Sequence, residues 1–117
     1  MKKLLIILVI FMATMNQSMA SHLLTERQLH LATLASLEAQ GDLTRLAPAI
    51  SKALDGGVTI NEIKETFSQL YAYTGFPRSL NALGTLSKVL DARKAEGKKD
   101  DEGKEWKRPK AWDDAEL

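Results

Sequence analysis

Four polar residues near the end of one predicted helix and the start of the next have side chains suited to binding a small organic acid. Glu65 is a carboxyl that, if enclosed, can act as a general acid or base. Tyr73 precedes a helix break, where its hydroxyl can orient a carboxylate or a carbonyl. Arg78 and the free N–H groups of the next helix can hold an anion, and Asn81, one turn later, can hydrogen-bond the same ligand. The pattern predicts a site for a small organic anion.

Each of these residues also has a purely structural interpretation, and the sequence leaves the choice open. Glu65 can be a solvated carboxylate that pairs with Lys64, and Arg78 can be a surface arginine. Tyr73 can be a wall residue, and Asn81 a core amide with local partners.

The helices that must position this site have recognisable ends. Thr59 and Glu62 form a capping-box pattern, in which each side chain accepts a hydrogen bond from the other residue's backbone N–H, so Glu62 is interpreted as a cap. Gly75 is placed to end the helix in a left-handed conformation, and Pro77 suits the first turn of the next helix. Two helices are therefore predicted to meet at a short hinge.

Apolar residues at helical spacing predict an all-α fold, a small bundle of about four helices. The predicted helices cover about residues 25–40, 43–54, 60–73 and 77–95. The first of them opens with a weaker capping-box pattern formed by Thr25 and Gln28. In the last of them, Leu80 is expected to face inward together with Leu83 and Leu90. Pro48 is tolerable in the second helix only near its first turn.

Three segments in this order resemble the carboxymuconolactone decarboxylase family, which includes the alkylhydroperoxidase-D-type proteins. They are Leu24-Thr25-Glu26-Arg27, Ala53-Leu54-x-x-Gly57-Val58-Thr59 and Tyr73-x-Gly75-Phe76-Pro77. The resemblance covers roughly residues 23–90. It implies the all-helical alkylhydroperoxidase-D-like fold, assembly into homotrimers or homohexamers, and action on a small carboxylated or lactone-like molecule.

The family's catalytic residues are only partly present. The peroxidase branch carries a Cys-x-x-Cys pair and a following His, and counting from Glu62 places Thr74, Pro77 and Asn81 at those positions. Thr74 is thereby added to the binding candidates. The chain has no cysteine, which excludes the redox disulfide of a thiol peroxidase. A histidine typical of the decarboxylase branch is replaced by Ala49.

The N-terminus has the pattern of a secretory signal peptide. Lys2 and Lys3 precede an apolar run, and cleavage is expected after Ala20. The run is shorter than the about 20 residues that span a bilayer. We therefore predict a signal peptide at 1–20, a helical domain at 21–96 and a charged tail at 97–117, with periplasmic or secreted localisation and no membrane association after cleavage.

Composition limits the partners. The formal charge is +1 for the full chain and −1 without Lys2 and Lys3, so no electrostatic case for nucleic acid arises. No metal site and no cofactor are expected. His30 lacks a second ligand at metal-binding spacing and is interpreted as a half-buried, hydrogen-bonded histidine rather than a catalytic one. A small core without disulfides favours a homo-oligomer.

The segment after Glu96 is dominated by Lys, Asp and Glu, a composition typical of a disordered tail. Trp106 and Trp112 are unusual there. They either dock on a neighbouring subunit or partner, or mark where a second domain would follow.

Whether the chain is an enzyme stays open at this point. In the first hypothesis it is a decarboxylase in which Arg78 holds the substrate carboxylate and Glu65 moves the proton. In the second it is a non-catalytic binding or assembly module that kept the fold and lost the chemistry. In the third, the tail recruits a partner through its two Trp residues.

Overall fold

The chain folds into five α-helices. The computed structural model describes residues 1–110, and within 13–22 it describes the backbone alone. The helices are α1 (Lys2–Leu23), α2 (Glu26–Gln40), α3 (Leu43–Asp55), α4 (Ile60–Thr74) and α5 (Phe76–Ala95). No strand occurs between residues 1 and 110. The predicted all-α class is confirmed. α1 covers most of the segment predicted as a signal peptide and continues past the predicted cleavage point to Leu23.

Both predicted capping boxes are present. Thr25 pairs with Gln28 at the start of α2, and Thr59 pairs with Glu62 at the start of α4. Partial burial opposes ionisation of Glu62, but the Thr59 amide and the guanidinium of Arg27 hold the pKa of this carboxyl below its usual value. The interpretation of Glu62 as a cap is confirmed.

The core lies where α2, α3, α4 and α5 meet. Its largest fully buried side chains include Phe67, Leu34 and Leu46. The prediction that Leu80 faces inward is wrong, because this side chain is 53% exposed. Ser79 takes the inward position instead and donates a hydrogen bond of 2.7 Å to the Phe67 carbonyl. Adjacent residues of a helix point about 100° apart, so with Ser79 facing inward Leu80 lies toward solvent.

Gly75 joins α4 to α5 without any intervening residue, serving as the C-cap of one and the N-cap of the other. Its φ of 91° is positive, as expected for a glycine at this break, but its ψ of 161° is extended. The predicted left-handed conformation is therefore wrong in ψ. A residue that ends one helix and starts the next must turn the chain abruptly, and glycine tolerates that backbone.

Pro48 lies further inside α3 than the first turn. Its missing N–H leaves the carbonyl four residues earlier, at Thr44, without a helical partner. Both residues are exposed, so water can satisfy that carbonyl.

The start of the charged C-terminal segment is fixed to the bundle, in contrast to the predicted disorder from residue 97 onward. We call residues 97–103 the C-terminal strap. The carbonyls of Asp101 and Glu102 accept hydrogen bonds from the N–H groups of Ile60 (2.9 Å) and Asn61 (3.0 Å) in the first turn of α4. The strap thus satisfies N–H groups that a helix start leaves free. Composition alone did not reveal these acceptors.

Between the strap and Lys110 the chain has almost no regular secondary structure, as the charged composition predicts. Trp106 is 62% exposed, and Trp112 lies outside the described residues. In the part of the chain that the structure describes, no helix is long and apolar enough to cross a membrane.

Arg93 anchors the strap from α5. This side chain is 5% exposed, and its guanidinium donates two hydrogen bonds of 2.8 Å to Asp100 and one of 2.8 Å to Asp55. A further bond of 3.3 Å reaches the Ser51 carbonyl. The hydrogen bonds from Arg93 lower the pKa of both carboxyls.

Candidate functional site

The junction between α4 and α5 contains a buried carboxyl that sequence reasoning missed. Glu38 of α2 is 1% exposed. Its Oε1 lies 2.7 Å from the Thr74 hydroxyl, which is also 3.0 Å from the Leu70 carbonyl. Its Oε2 is enclosed and has no hydrogen-bond partner among the described residues. The sequence did contain a sign that Glu38 is buried. Glu38 follows Leu34 by four residues and therefore lies on the same, apolar face of α2.

Apart from Thr74, the residues that the sequence predicted for the site are exposed: Glu65, Tyr73, Arg78 and Asn81. Tyr73 is 86% exposed. Glu65 precedes Thr74 by nine residues, which places it on the opposite side of α4. Among the described residues, Thr74 is the one predicted site residue that is hydrogen-bonded to the buried carboxyl. The roles assigned to Glu65, Tyr73, Arg78, Asn81 and Thr74 stay predictions.

Arg78 lies against the end of α2. A Cβ built on Gly41, the C-cap of α2, would be 3.8 Å from the Arg78 Nε. The free carbonyls at a helix C-terminus attract a cation. This placement gives Arg78 a structural function beside its predicted binding function.

Removing the Glu38 Oε2, which has no partner among the described residues, is expected to stabilise the protein. An unsatisfied buried polar group costs about 1–3 kcal/mol. Glu38→Met keeps the length of the side chain, and the Thr74 hydroxyl can still donate to the Leu70 carbonyl. We expect a gain in the free energy of unfolding of about 1–3 kcal/mol, measured by urea titration. The matched control is Gln40→Met on the exposed face of α2, where little change is expected. A loss of stability in Glu38→Met would show that Oε2 has a partner in solution.

A second region, between α2 and α3, combines concave shape with polar groups. We call it the α2–α3 groove. It is an open cavity of about 320 Å³. Its lining residues are Glu26, Leu29, His30, Thr33, Ala49 and Lys52. The groove therefore offers a carboxylate, an imidazole, a hydroxyl and an ammonium group beside two apolar walls.

The ring of His30 packs against Gly56, which has no side chain to obstruct it. A Cβ built on Gly56 would lie 2.7 Å from the His30 Nε2, so glycine leaves the space that the ring occupies. The imidazole is half-buried, as predicted. The predicted hydrogen bond is absent, because neither ring nitrogen bonds to any residue that the structure describes. A ligand in the groove can therefore use the ring for proton transfer.

Lys52 supplies the positive charge of the groove from α3. Leu29 and Ala49 provide the apolar surface beside it. A carboxylate beside the Lys52 ammonium, with its carbon skeleton on the apolar walls, would also be next to the imidazole. Sequence reasoning missed this arrangement, since His30 and Lys52 belong to different helices.

The chemistry open to these residues is acid–base chemistry on an organic anion. Among the described side chains, no group of three or more His, Asp or Glu residues is arranged to hold a metal ion. The chain also has no thiol.

Comparison with known proteins identifies one matching family. The model of the carboxymuconolactone decarboxylase family matches residues 8–88. No curated protein and no solved structure matches the chain.

Proposed function

The chain belongs to the carboxymuconolactone decarboxylase family, and we propose that it decarboxylates a small carboxylated or lactone-like molecule bound in the α2–α3 groove. The observation that carries this proposal is the imidazole of His30, which has no hydrogen-bond partner among the described residues and lines the same cavity as Lys52 and two apolar walls. The resemblance adds support, because Ala49, which stands where the decarboxylase branch has a histidine, lines the same groove. His30 would supply the missing imidazole from the neighbouring helix.

The proposed reaction needs one proton and one electrostatic contact. The carbon–carbon bond to the carboxylate breaks, carbon dioxide leaves, and the electron pair passes into the adjacent conjugated carbonyl. The Lys52 ammonium stabilises the negative charge that develops on that oxygen. Protonated His30 then delivers its proton to the carbon that lost carbon dioxide, and the imidazole regains a proton from water. No cofactor takes part in this scheme.

The test is the release of carbon dioxide from carboxymuconolactone, the compound in the family's name, by the purified full-length chain. Turnover above the uncatalysed rate supports the proposal. Binding without any release of carbon dioxide supports the second candidate, a binding module that kept the fold and lost the chemistry. The exposure of Glu65 and Tyr73, the two residues to which the sequence assigned catalysis, favours that second candidate. Thermal shift with the same compound measures the binding.

We also propose that the chain is exported and that residues 1–20 are removed. Supporting this, apolar side chains near the start of α1 are exposed: Leu4 is 77% and Leu5 is 67% exposed. After cleavage the protein would be periplasmic or secreted, with no membrane association and no nucleic-acid partner. Intact mass spectrometry of the exported product would show a chain that starts at Ser21. An uncleaved product would contradict this proposal.

A homotrimer or homohexamer is expected from the resemblance. An exposed apolar cluster on α4 and α5 supports it: Tyr71, Phe76 and Leu80 are 53–60% exposed, and the two aromatic rings meet edge to face at 6.0 Å. Apolar clusters of this kind favour subunit contacts. We expect Phe76→Glu to shift the assembly toward monomer in light scattering after size-exclusion chromatography, while Leu43→Glu on α3 leaves it unchanged. A monomeric wild-type chain would contradict the expectation.

A further inference from the structure

A second concave region lies where the C-terminal strap passes between the start of α4 and the end of α5. It is an open cavity of about 440 Å³, which we call the strap pocket. Ile60 and Leu90, both half-buried, form its apolar floor. Lys94, Lys98 and Lys99 form its rim. It shares no residue with the α2–α3 groove.

The positive charge of the rim is poorly neutralised. Asp100 also lines the pocket, but both of its oxygens accept hydrogen bonds from Arg93 and its side chain is 10% exposed. Lys98 pairs with Glu96 at 3.4 Å, and both side chains are about half exposed, so this pair is weak. Lys94 and Lys99 pair with no carboxylate in the part of the chain that the structure describes. The pocket therefore presents an excess of positive charge.

The start of α4 adds to the positive charge around the strap pocket. Ile60 is the first residue of α4, where the helix dipole places partial positive charge. The N–H groups of Ile60 and Asn61 are already bonded to strap carbonyls, so direct contacts with an anion must come from the lysines. Their ammonium groups stand on flexible side chains that can converge on one headgroup.

An apolar floor with a basic rim matches a molecule that has an apolar body and one negative headgroup. We propose that the strap pocket binds a free amphiphilic carboxylate, with its hydrocarbon part on Ile60 and Leu90 and its carboxylate held by Lys94 and Lys99. Binding would fasten the strap to the helices, because Lys99 belongs to the strap and Lys94 to α5. This site is separate from the groove and does not depend on the proposed decarboxylation.

Isothermal titration calorimetry of the full-length chain with octanoate tests the proposal. Octanol carries the same hydrocarbon chain without the charge, and octylammonium carries the opposite charge. We expect octanoate to bind and both analogues to bind at least about tenfold more weakly, a difference of about 1.4 kcal/mol. The double substitution Lys94→Gln with Lys99→Gln should weaken octanoate binding by a similar factor. The matched control, Lys64→Gln with Lys88→Gln, changes two exposed lysines outside the pocket and should have no effect.

Four results would overturn the proposal: no binding of octanoate, equal binding of octanol, unchanged affinity in the Lys94 and Lys99 double variant, or binding to phosphatidylglycerol vesicles without binding to free octanoate. The last result would identify a membrane surface as the partner. His30→Gln should leave octanoate binding unchanged, so that failure of the groove proposal and failure of this one are distinguishable. Circular dichroism melting of each variant verifies that it is folded.

Discussion

Replacing His30 with glutamine is expected to lower turnover of carboxymuconolactone by about 10²- to 10⁴-fold, the usual contribution of general acid–base catalysis. Glutamine keeps a polar side chain in the space beside Gly56 but cannot transfer a proton at neutral pH. Since the ring makes no hydrogen bond to any described residue, its removal breaks no internal contact of that kind. The rate should therefore fall while the thermal unfolding temperature changes little. Initial rates of carbon dioxide release measure the effect.

Two comparisons make this prediction specific. Lys52→Gln removes the charge on the opposite helix of the groove and should also slow the reaction. Glu65→Gln and Arg78→Ala change the two residues to which the sequence assigned proton transfer and carboxylate binding. If these two variants lost turnover while His30→Gln retained it, the site would lie at the α4–α5 junction and the groove assignment would be wrong.

Replacing Arg93 with methionine is expected to lower the free energy of unfolding by about 3 kcal/mol. Breaking a buried ion pair costs about 3–5 kcal/mol when it leaves a charge without its partner. The lower end of that range applies because one of the two partners, Asp55, has a side chain that is 59% exposed, while that of Asp100 is 10% exposed. Methionine retains the packing of the aliphatic part of the side chain. Urea titration at pH 7 measures the loss.

The control is Arg27→Met, which removes an arginine from the pair that Arg27 forms with Glu62. Those side chains are 49% and 35% exposed, and exposed pairs contribute at most about 1 kcal/mol. If both arginine variants lost equal stability, the burial of Arg93 would not explain its effect. Proteolysis of the strap should also speed up in Arg93→Met and not in Arg27→Met.

The ion pairs of Arg93 with Asp100 and Asp55 predict how the stability of the protein depends on pH. Arg93 lowers the pKa of Asp100 and of Asp55 below the usual value of 3.8. Each carboxylate therefore contributes stability that is fully present well above pH 3.8. That contribution is lost as the pH falls through the lowered value of the folded state. In Arg93→Met, the urea midpoint should fall less steeply between neutral and acid pH. If the urea midpoint of Arg93→Met changed with pH as steeply as that of the wild-type protein, this explanation would be contradicted.

Much of the local structure follows from short-range patterns. The capping pairs at Thr25 and Thr59 predicted where α2 and α4 begin, and the glycine at position 75 predicted where α4 ends. These features could be inferred because each depends on residues no more than one or two turns apart. The absence of cysteine likewise excluded thiol peroxidase chemistry from the sequence alone.

The partners of the buried and concave sites were decided by the tertiary structure. Glu38 meets Thr74, Arg93 meets Asp55, and His30 lies against Gly56. Each of these pairs joins different elements of the chain. Ser79 is hydrogen-bonded to the Phe67 carbonyl and Leu80 is exposed, although helical spacing predicted that Leu80 faces inward. Periodicity specifies which faces of a helix are apolar. Which residues of two faces meet depends on how the helices pack against one another, and that packing brought His30 and Lys52 into one groove.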